Sequence, residues 1–219
     1  MMVKIGIVSN AYENDSKFKI DFEKYQKMGY ESLDFQNFIS SKSDLYKMND
    51  DEFVSYLTEL KKEMDKYGLF FNQLHALWDT EAEKFERNHL QDYYIKSIKA
   101  AGILNCPYVV IHPVSPRNWE EKLDAKEMKE FNIKFMQDLI PYCKENHTRL
   151  AIENLPFPWL YEFFGPEGTL DLINSINSEY VVMCVDTGHF NIFKDSFIDN
   201  LNMIKLLTRW KLWRLQLIH

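Results

Sequence analysis

Cysteine is scarce in this chain, and its three copies, Cys106, Cys143 and Cys184, are odd in number and far apart, with no C-x-x-C pair. That excludes a disulfide framework and a zinc knuckle, and leaves buried, reduced thiols as the expectation. Glycine and proline, seven of each, are too few for a fibrous protein, and an aromatic share of 15% is too high for a disordered one. No apolar run approaches the ~20 residues that cross a bilayer. The first residues, MMVKIGIVSN, pass straight into a strand-like segment without the charged, apolar and small-residue parts of a secretory leader. A cytoplasmic protein without membrane association is therefore expected. Positive charge is also short: 26 Lys and Arg face 33 Asp and Glu, a formal charge of −7. That balance argues against a nucleic-acid groove, because phosphate binding is dominated by Lys and Arg.

What the chain does have is enough apolar residue, 46% of 219, to bury one sizeable core. Strand-like and helix-like stretches alternate along it. Val3–Val8, Tyr30–Phe35, Leu69–Leu74, Tyr108–Ile111, Leu150–Ile152 and Val181–Val185 read as strands. Between them, helical spacing runs over Phe18–Met28, Asp50–Tyr67, Glu86–Leu104, Trp119–Asn146 and Gly168–Ile176, and again over Ser196–Leu207. Gly29 and Gly68 stand where helix C-caps belong, and Phe53, Leu57, Leu60 and Met64 form the buried face of the second helix. Regular alternation of this kind predicts βα units, a parallel sheet and one α/β domain.

Four of these strands end in a residue able to bind metal: His75, His112, Glu153 and Asp186. In a parallel α/β barrel the carboxyl ends of all strands meet at one face, where the active site is built. Residues far apart in sequence would then share one mouth. Carboxylates from Glu153 and Asp186, with imidazoles from His75, His112 and His189, suit a divalent ion such as Mn²⁺, Zn²⁺, Co²⁺ or Fe²⁺ better than calcium. Plainer roles remain open to each: a hydrogen-bonded structural histidine, or an Asx turn at Asp186 before Thr187-Gly188. Glu153 resists the plain reading most, since a carboxylate after an apolar run is costly to bury without partners.

The segments VVIHP, LAIENL and VVMCVDTGH resemble the xylose isomerase-like TIM-barrel superfamily, over about Met1–Leu207. That group holds sugar (phosphate) isomerases and epimerases and also the endonuclease IV type of DNA-repair enzyme. The resemblance implies an α/β fold, a (β/α) TIM-type barrel, incomplete, with about six to seven of eight units. It implies Glu153 and Asp186 as metal ligands and His189 as a residue that binds substrate or a second metal. His75 and His112 would line the mouth, and Asn154 would be a polar support. Trp78, Trp119 and Trp159 follow strand ends, where aromatic faces suit the C–H faces of a sugar or form a lid that excludes water. The implied chemistry is proton transfer next to a carbonyl of a sugar or sugar phosphate, with Glu153 as the catalytic carboxylate. A divalent cation (Mn, Zn, Co, Fe or Mg) would assist it.

The pattern breaks after Asp186. A TIM barrel typically takes about 250 residues, and the second glutamate that the epimerase branch draws from strand eight has no sequence to occupy. The tail, Thr208–His219, is rich in Trp and Arg and has no acidic residue. It reads either as strand seven, Trp213–Ile218, with His219 as a further metal ligand, or as out-of-frame sequence. An open barrel edge would invite a homodimer. Two other readings of function remain beside the isomerase/epimerase one: an endonuclease IV-like repair enzyme, which the charge and the missing strands oppose, and a non-catalytic scaffold or binding module.

Overall fold

The computed structural model describes residues 6–9, 20–78, 89–116, 124–157, 160–189 and 215–218. In chain order its elements are β1 (Gly6–Val8), α1 (Phe22–Lys27), β2 (Ser32–Phe35), α2 (Asp44–Lys47), α3 (Asp50–Asp65), β3 (Phe70–His75) and α4 (Leu90–Ile103). There follow β4 (Tyr108–Ile111), α5 (Ala125–Glu145), β5 (Arg149–Glu153), α6 (Tyr161–Phe164), α7 (Pro166–Ile176), β6 (Val181–Asp186) and β7 (Leu215–Ile218). Every strand read from the sequence is present. The short helices α2 and α6 were not legible, because four residues are too few to display a helical period. The helix expected over Ser196–Leu207 lies outside the described residues.

The chain divides into two compact units, Met1–Val109 with Pro141–Arg149, and Val110–Ile140 with Leu150–His219. In the first, β1, β2 and β3 pair in parallel and in chain order. Helix α3 forms where the sequence placed it. Asn49 closes a capping box with Glu52, and Phe53, Leu57, Leu60 and Met64 are buried. Beyond its end Gly68 takes φ 67°, a left-handed value that favours glycine. Replacing Asn49 by alanine removes the acceptor for the Glu52 N–H and is expected to cost about 1 kcal/mol, read as a lowered urea midpoint.

Strand β2 is buried along its whole length, although polar and apolar residues alternate in YESLDF. Its outer face, Leu33 and Phe35, packs on aromatic side chains. The Phe35 ring lies 4.9 Å from Phe71 and 6.0 Å from Phe38, and Phe38 lies 6.2 Å from Phe53 of α3. The register slips between β2 and β3: Leu33 faces Phe71, but Asp34 faces Gln73 and Phe35 faces Leu74. One residue of β3, Asn72, is therefore extra, a β-bulge. Side chains alternate along a strand, so the bulge leaves Phe71 and Leu74 on the aromatic face and turns Gln73 and His75 to the face of Asp34.

In the second unit, β5, β6 and β7 are again parallel and in chain order. Leu150, Ala151 and Ile152 face Val181, Val182 and Met183, and all six are at most 2% exposed. Near-continuous apolar runs are what a parallel strand covered on both faces requires. Helix α7 starts at Pro166, whose fixed φ suits a first turn, and ends at Asn177 in left-handed geometry. Residues 215–218 form a seventh strand, pairing Met183 with Leu215 and Asp186 with Ile218.

The three cysteines are free and buried, as expected, and burial pushes the Cys106 thiol far up. Among the described residues, no helix is long and apolar enough to cross a membrane.

Candidate functional site

The register of the second unit sets the site. Glu153, the last residue of β5, lies beside Cys184, so Asp186 projects two residues further along the neighbouring strand. Glu153 is 6% exposed and Asp186 9%. After Asp186 the backbone turns at once into helical geometry over 187–189. This brings His189 back over the strand end, where its N–H donates to Asp186 Oδ1 at 2.9 Å. Ligand-type atoms of Glu153, Asp186 and His189 all lie within 4.8 Å of one another.

Imidazoles flank the glutamate on both sides. His112 Nε2 stands 3.3 Å from Glu153 Oε2, and His189 Nδ1 stands 3.3 Å from Glu153 Oε1 and 3.6 Å from Asp186 Oδ2. His189 Nδ1 is closer still to the main-chain oxygen of Asn154, at 2.8 Å. A carbonyl oxygen only accepts, so Nδ1 carries a hydrogen and, in the neutral ring, Nε2 holds the lone pair. The nitrogen nearest the carboxylates is thus already engaged as a donor. This makes Glu153 and Asp186 the ligand candidates, with His189 as their hydrogen-bonded neighbour.

Asn154 is completely buried, and its side chain bonds the backbone of the neighbouring strand end. Its Nδ2 donates to the Asp186 carbonyl at 3.1 Å, and its Oδ1 accepts the Asp186 N–H at 2.9 Å. The backbone of Asp186 is thereby tied to the residue that follows Glu153.

Two buried carboxylates this close repel each other unless positive charge sits between or beside them. Their oxygen donors, with imidazole at hand, fit a divalent transition-metal ion or magnesium. The fit is one of donor chemistry and burial.

In the first unit His75 and Trp78 come together. Their ring centroids are 6.3 Å apart, His75 Nδ1 lies 3.1 Å from the Ala76 carbonyl oxygen, and Trp78 is 47% exposed. Trp119, Trp159 and His219 lie outside the described residues.

Residues 22–219 match the family described as the xylose isomerase-like TIM barrel. The chain belongs to the xylose isomerase-like TIM barrel family. Its α/β architecture is accordingly a TIM-type (β/α) barrel, incomplete, with seven of the eight strands among the described residues. Solved structures agree. A D-psicose 3-epimerase crystallised in the presence of D-fructose superposes with a TM-score of 0.69 at 15% identity, covering 91% of this chain and 69% of that one. D-psicose 3-epimerase with D-tagatose from Clostridium cellulolyticum H10 gives 0.68 at 18% identity, with the same coverage of 91% and 69%. The IolI protein with a bound zinc atom gives 0.66 at 17% identity, covering 89% of this chain and 66% of that one. At these identities the likeness carries the fold. No curated protein matches the sequence. Glu153 and Asp186 stand at the carboxyl ends of β5 and β6, the strand ends that meet at one face of a TIM barrel.

Proposed function

We propose that this chain is a metal-dependent sugar or sugar-phosphate isomerase or epimerase. The observation that carries the reading is the pair of buried carboxylates Glu153 and Asp186 at adjacent strand ends, with the partly exposed His189 beside them and all three sets of ligand-type atoms within 4.8 Å. Such a cluster is costly to build as structure alone.

Glu153 and Asp186 would hold the ion, and His219 is a further ligand candidate from the sequence. When bound, the cation supplies Lewis acidity to a carbonyl and its neighbouring hydroxyl. The work of the protein groups follows from their positions. A carboxylate in contact with the ring nitrogens of two histidines is held in one orientation. Glu153 accepts the proton from the carbon next to the carbonyl, and that carbon's bonding pair shifts toward the carbonyl. Delivery of a proton from solvent to the opposite face of the same carbon gives epimerisation; return from Glu153 to the former carbonyl carbon, with the hydroxyl proton passing to the former carbonyl oxygen, gives isomerisation. His189, with Nδ1 fixed by Asn154, presents its Nε2 lone pair to accept a hydrogen bond from a substrate hydroxyl. His112 orients the second oxygen of Glu153. His75 and the exposed Trp78 offer an imidazole and an aromatic face to a sugar ring, the role also proposed for Trp119 and Trp159.

The test is turnover of D-fructose, D-psicose and D-tagatose by the purified chain, followed by sugar chromatography and by exchange of the carbon-bound hydrogen with D₂O. Interconversion is expected, lost after chelation and restored by Mn²⁺ or Co²⁺. Undiminished turnover after complete removal of metal would overturn the metal-dependent mechanism. Absence of exchange on every ketose, aldose and phosphorylated counterpart tried would overturn the activity.

A further inference from the structure

In the second unit a buried amide stands behind the segment that leaves β4, and nothing above gives it a task. Asn132, in α5, is 0% exposed. Its Oδ1 accepts the N–H of Val114 at 2.8 Å, and its Nδ2 donates both to the Val114 carbonyl and to the Met128 carbonyl, each at 2.8 Å. Asparagine is a poor helix former, and its burial is costly unless it is hydrogen-bonded. Here the amide takes both backbone groups of one residue, the pattern that a neighbouring strand would present. Val114 lies just past the end of β4, and Pro113 before it has no N–H to offer. The side chain of Asn132 thus pairs the backbone of Val114, three residues past the last residue of β4. The bond to Met128, one turn earlier in α5, fixes the amide in place.

Two residues before Val114 is His112, whose Nε2 stands 3.3 Å from Glu153 Oε2. Its backbone is held by β4 on one side and by the clamped Val114 on the other. Asn154 grips the backbone of Asp186 by the same two-bond device. One asparagine therefore fixes the segment carrying the imidazole, and another fixes the carboxylate's strand end. We propose that Asn132 is a positioning residue, holding the backbone after β4 so that the His112 imidazole stands against Glu153. The proposal rests on the reading of Glu153 as the reactive carboxylate.

The experiment compares the full chain with Asn132→Leu, which fills the space without hydrogen bonds, and Asn132→Asp, which keeps the acceptor and loses the donor. Three quantities are read at one fixed pH: amide exchange at Val114, the ring-nitrogen NMR signals of His112 (assigned through His112→Gln), and kcat and KM on the ketose turned over. In Asn132→Leu, exchange at Val114 is expected to quicken about tenfold, in line with one lost hydrogen bond. Exchange in β6 should stay slow, the His112 ring signals should move, and kcat should fall about 10- to 100-fold with KM little changed. Asn132→Asp should lie between, and it carries the same comparison alone if the leucine variant does not fold. Faster exchange at Val114 with unmoved His112 signals and unchanged kcat would overturn the proposal, leaving Asn132 a purely structural clamp. If the parent chain turns over no sugar, the reading of the site's function fails, while the His112 ring signals still decide what Asn132 does.

Discussion

Glutamine at position 153 is expected to lower ketose turnover by about 10³-fold, the range a positioned general base supplies, and to weaken divalent-ion binding at the same time. The substitution is nearly isosteric and removes the charge alone. Both oxygens of the carboxylate are in use, one 3.3 Å from His112 and the other 3.3 Å from His189. An amide can satisfy one of those contacts as an acceptor but offers a donor to the other. Asp186→Asn is the companion variant. Its Oδ1 also receives the His189 N–H at 2.9 Å, so a flipped amide would cost both the ion and the turn at residues 187–189. The metal-free chain gives a second reading of the same arrangement. Unit charges 4–5 Å apart interact by roughly 3–4 kcal/mol at an effective dielectric constant of 20. Removing one should therefore raise the melting temperature of the metal-free chain while abolishing the further rise that Mn²⁺ gives the parent. Metal content by elemental analysis, with melting curves taken with and without Mn²⁺, decides the matter. Full metal occupancy in both variants would sink the ligand assignment.

The largest stability loss should come from the first unit. Phe35 is 0% exposed, and its ring meets Phe71 at 4.9 Å and Phe38 at 6.0 Å. Truncating such a ring to alanine removes its transfer energy and leaves a cavity, at about 3–5 kcal/mol. Against a typical domain stability of about 5–15 kcal/mol, that is enough to leave a sizeable unfolded population. Phe35→Leu keeps much of the volume and should cost distinctly less. Urea titration followed by circular dichroism measures both. A loss below about 1 kcal/mol for Phe35→Ala would mean that the neighbouring rings collapse into the gap and that the cluster is not a fixed core.

Much of this was legible in the sequence because its signals are local. The apolar runs at Leu150–Ile152 and Val181–Val185 report burial on both faces of a strand directly. The residues that follow, Glu153 and Asp186, report the end of each strand. Parallel pairing then makes them neighbours without further information. The amphipathic face of α3 was legible for the same reason. Asn132 was not, since nothing in FNIKF distinguishes an amide that meets Val114, 18 residues away, from one in water. The part played by Asn154 through its main-chain oxygen was equally hidden: the neighbour of Glu153 was visible, but not that its carbonyl chooses the hydrogen-bearing nitrogen of His189. Strand β2 misled in another way. YESLDF alternates as a half-exposed strand does, yet all of Ser32–Phe35 is buried, because a strand of a parallel sheet is covered on both faces.

The extra residue in β3 bears on how this chain is compared with its kin. Asn72 shifts the pairing by one place, so the positions before and after it obey different parities. A relative whose third strand runs without the bulge could be aligned to Phe70–His75 gaplessly and still have the wrong residue set opposite Asp34. Correspondence at the mouth has to be counted backward from His75 and correspondence of the core forward from Phe70, with a gap at Asn72 where the two counts meet.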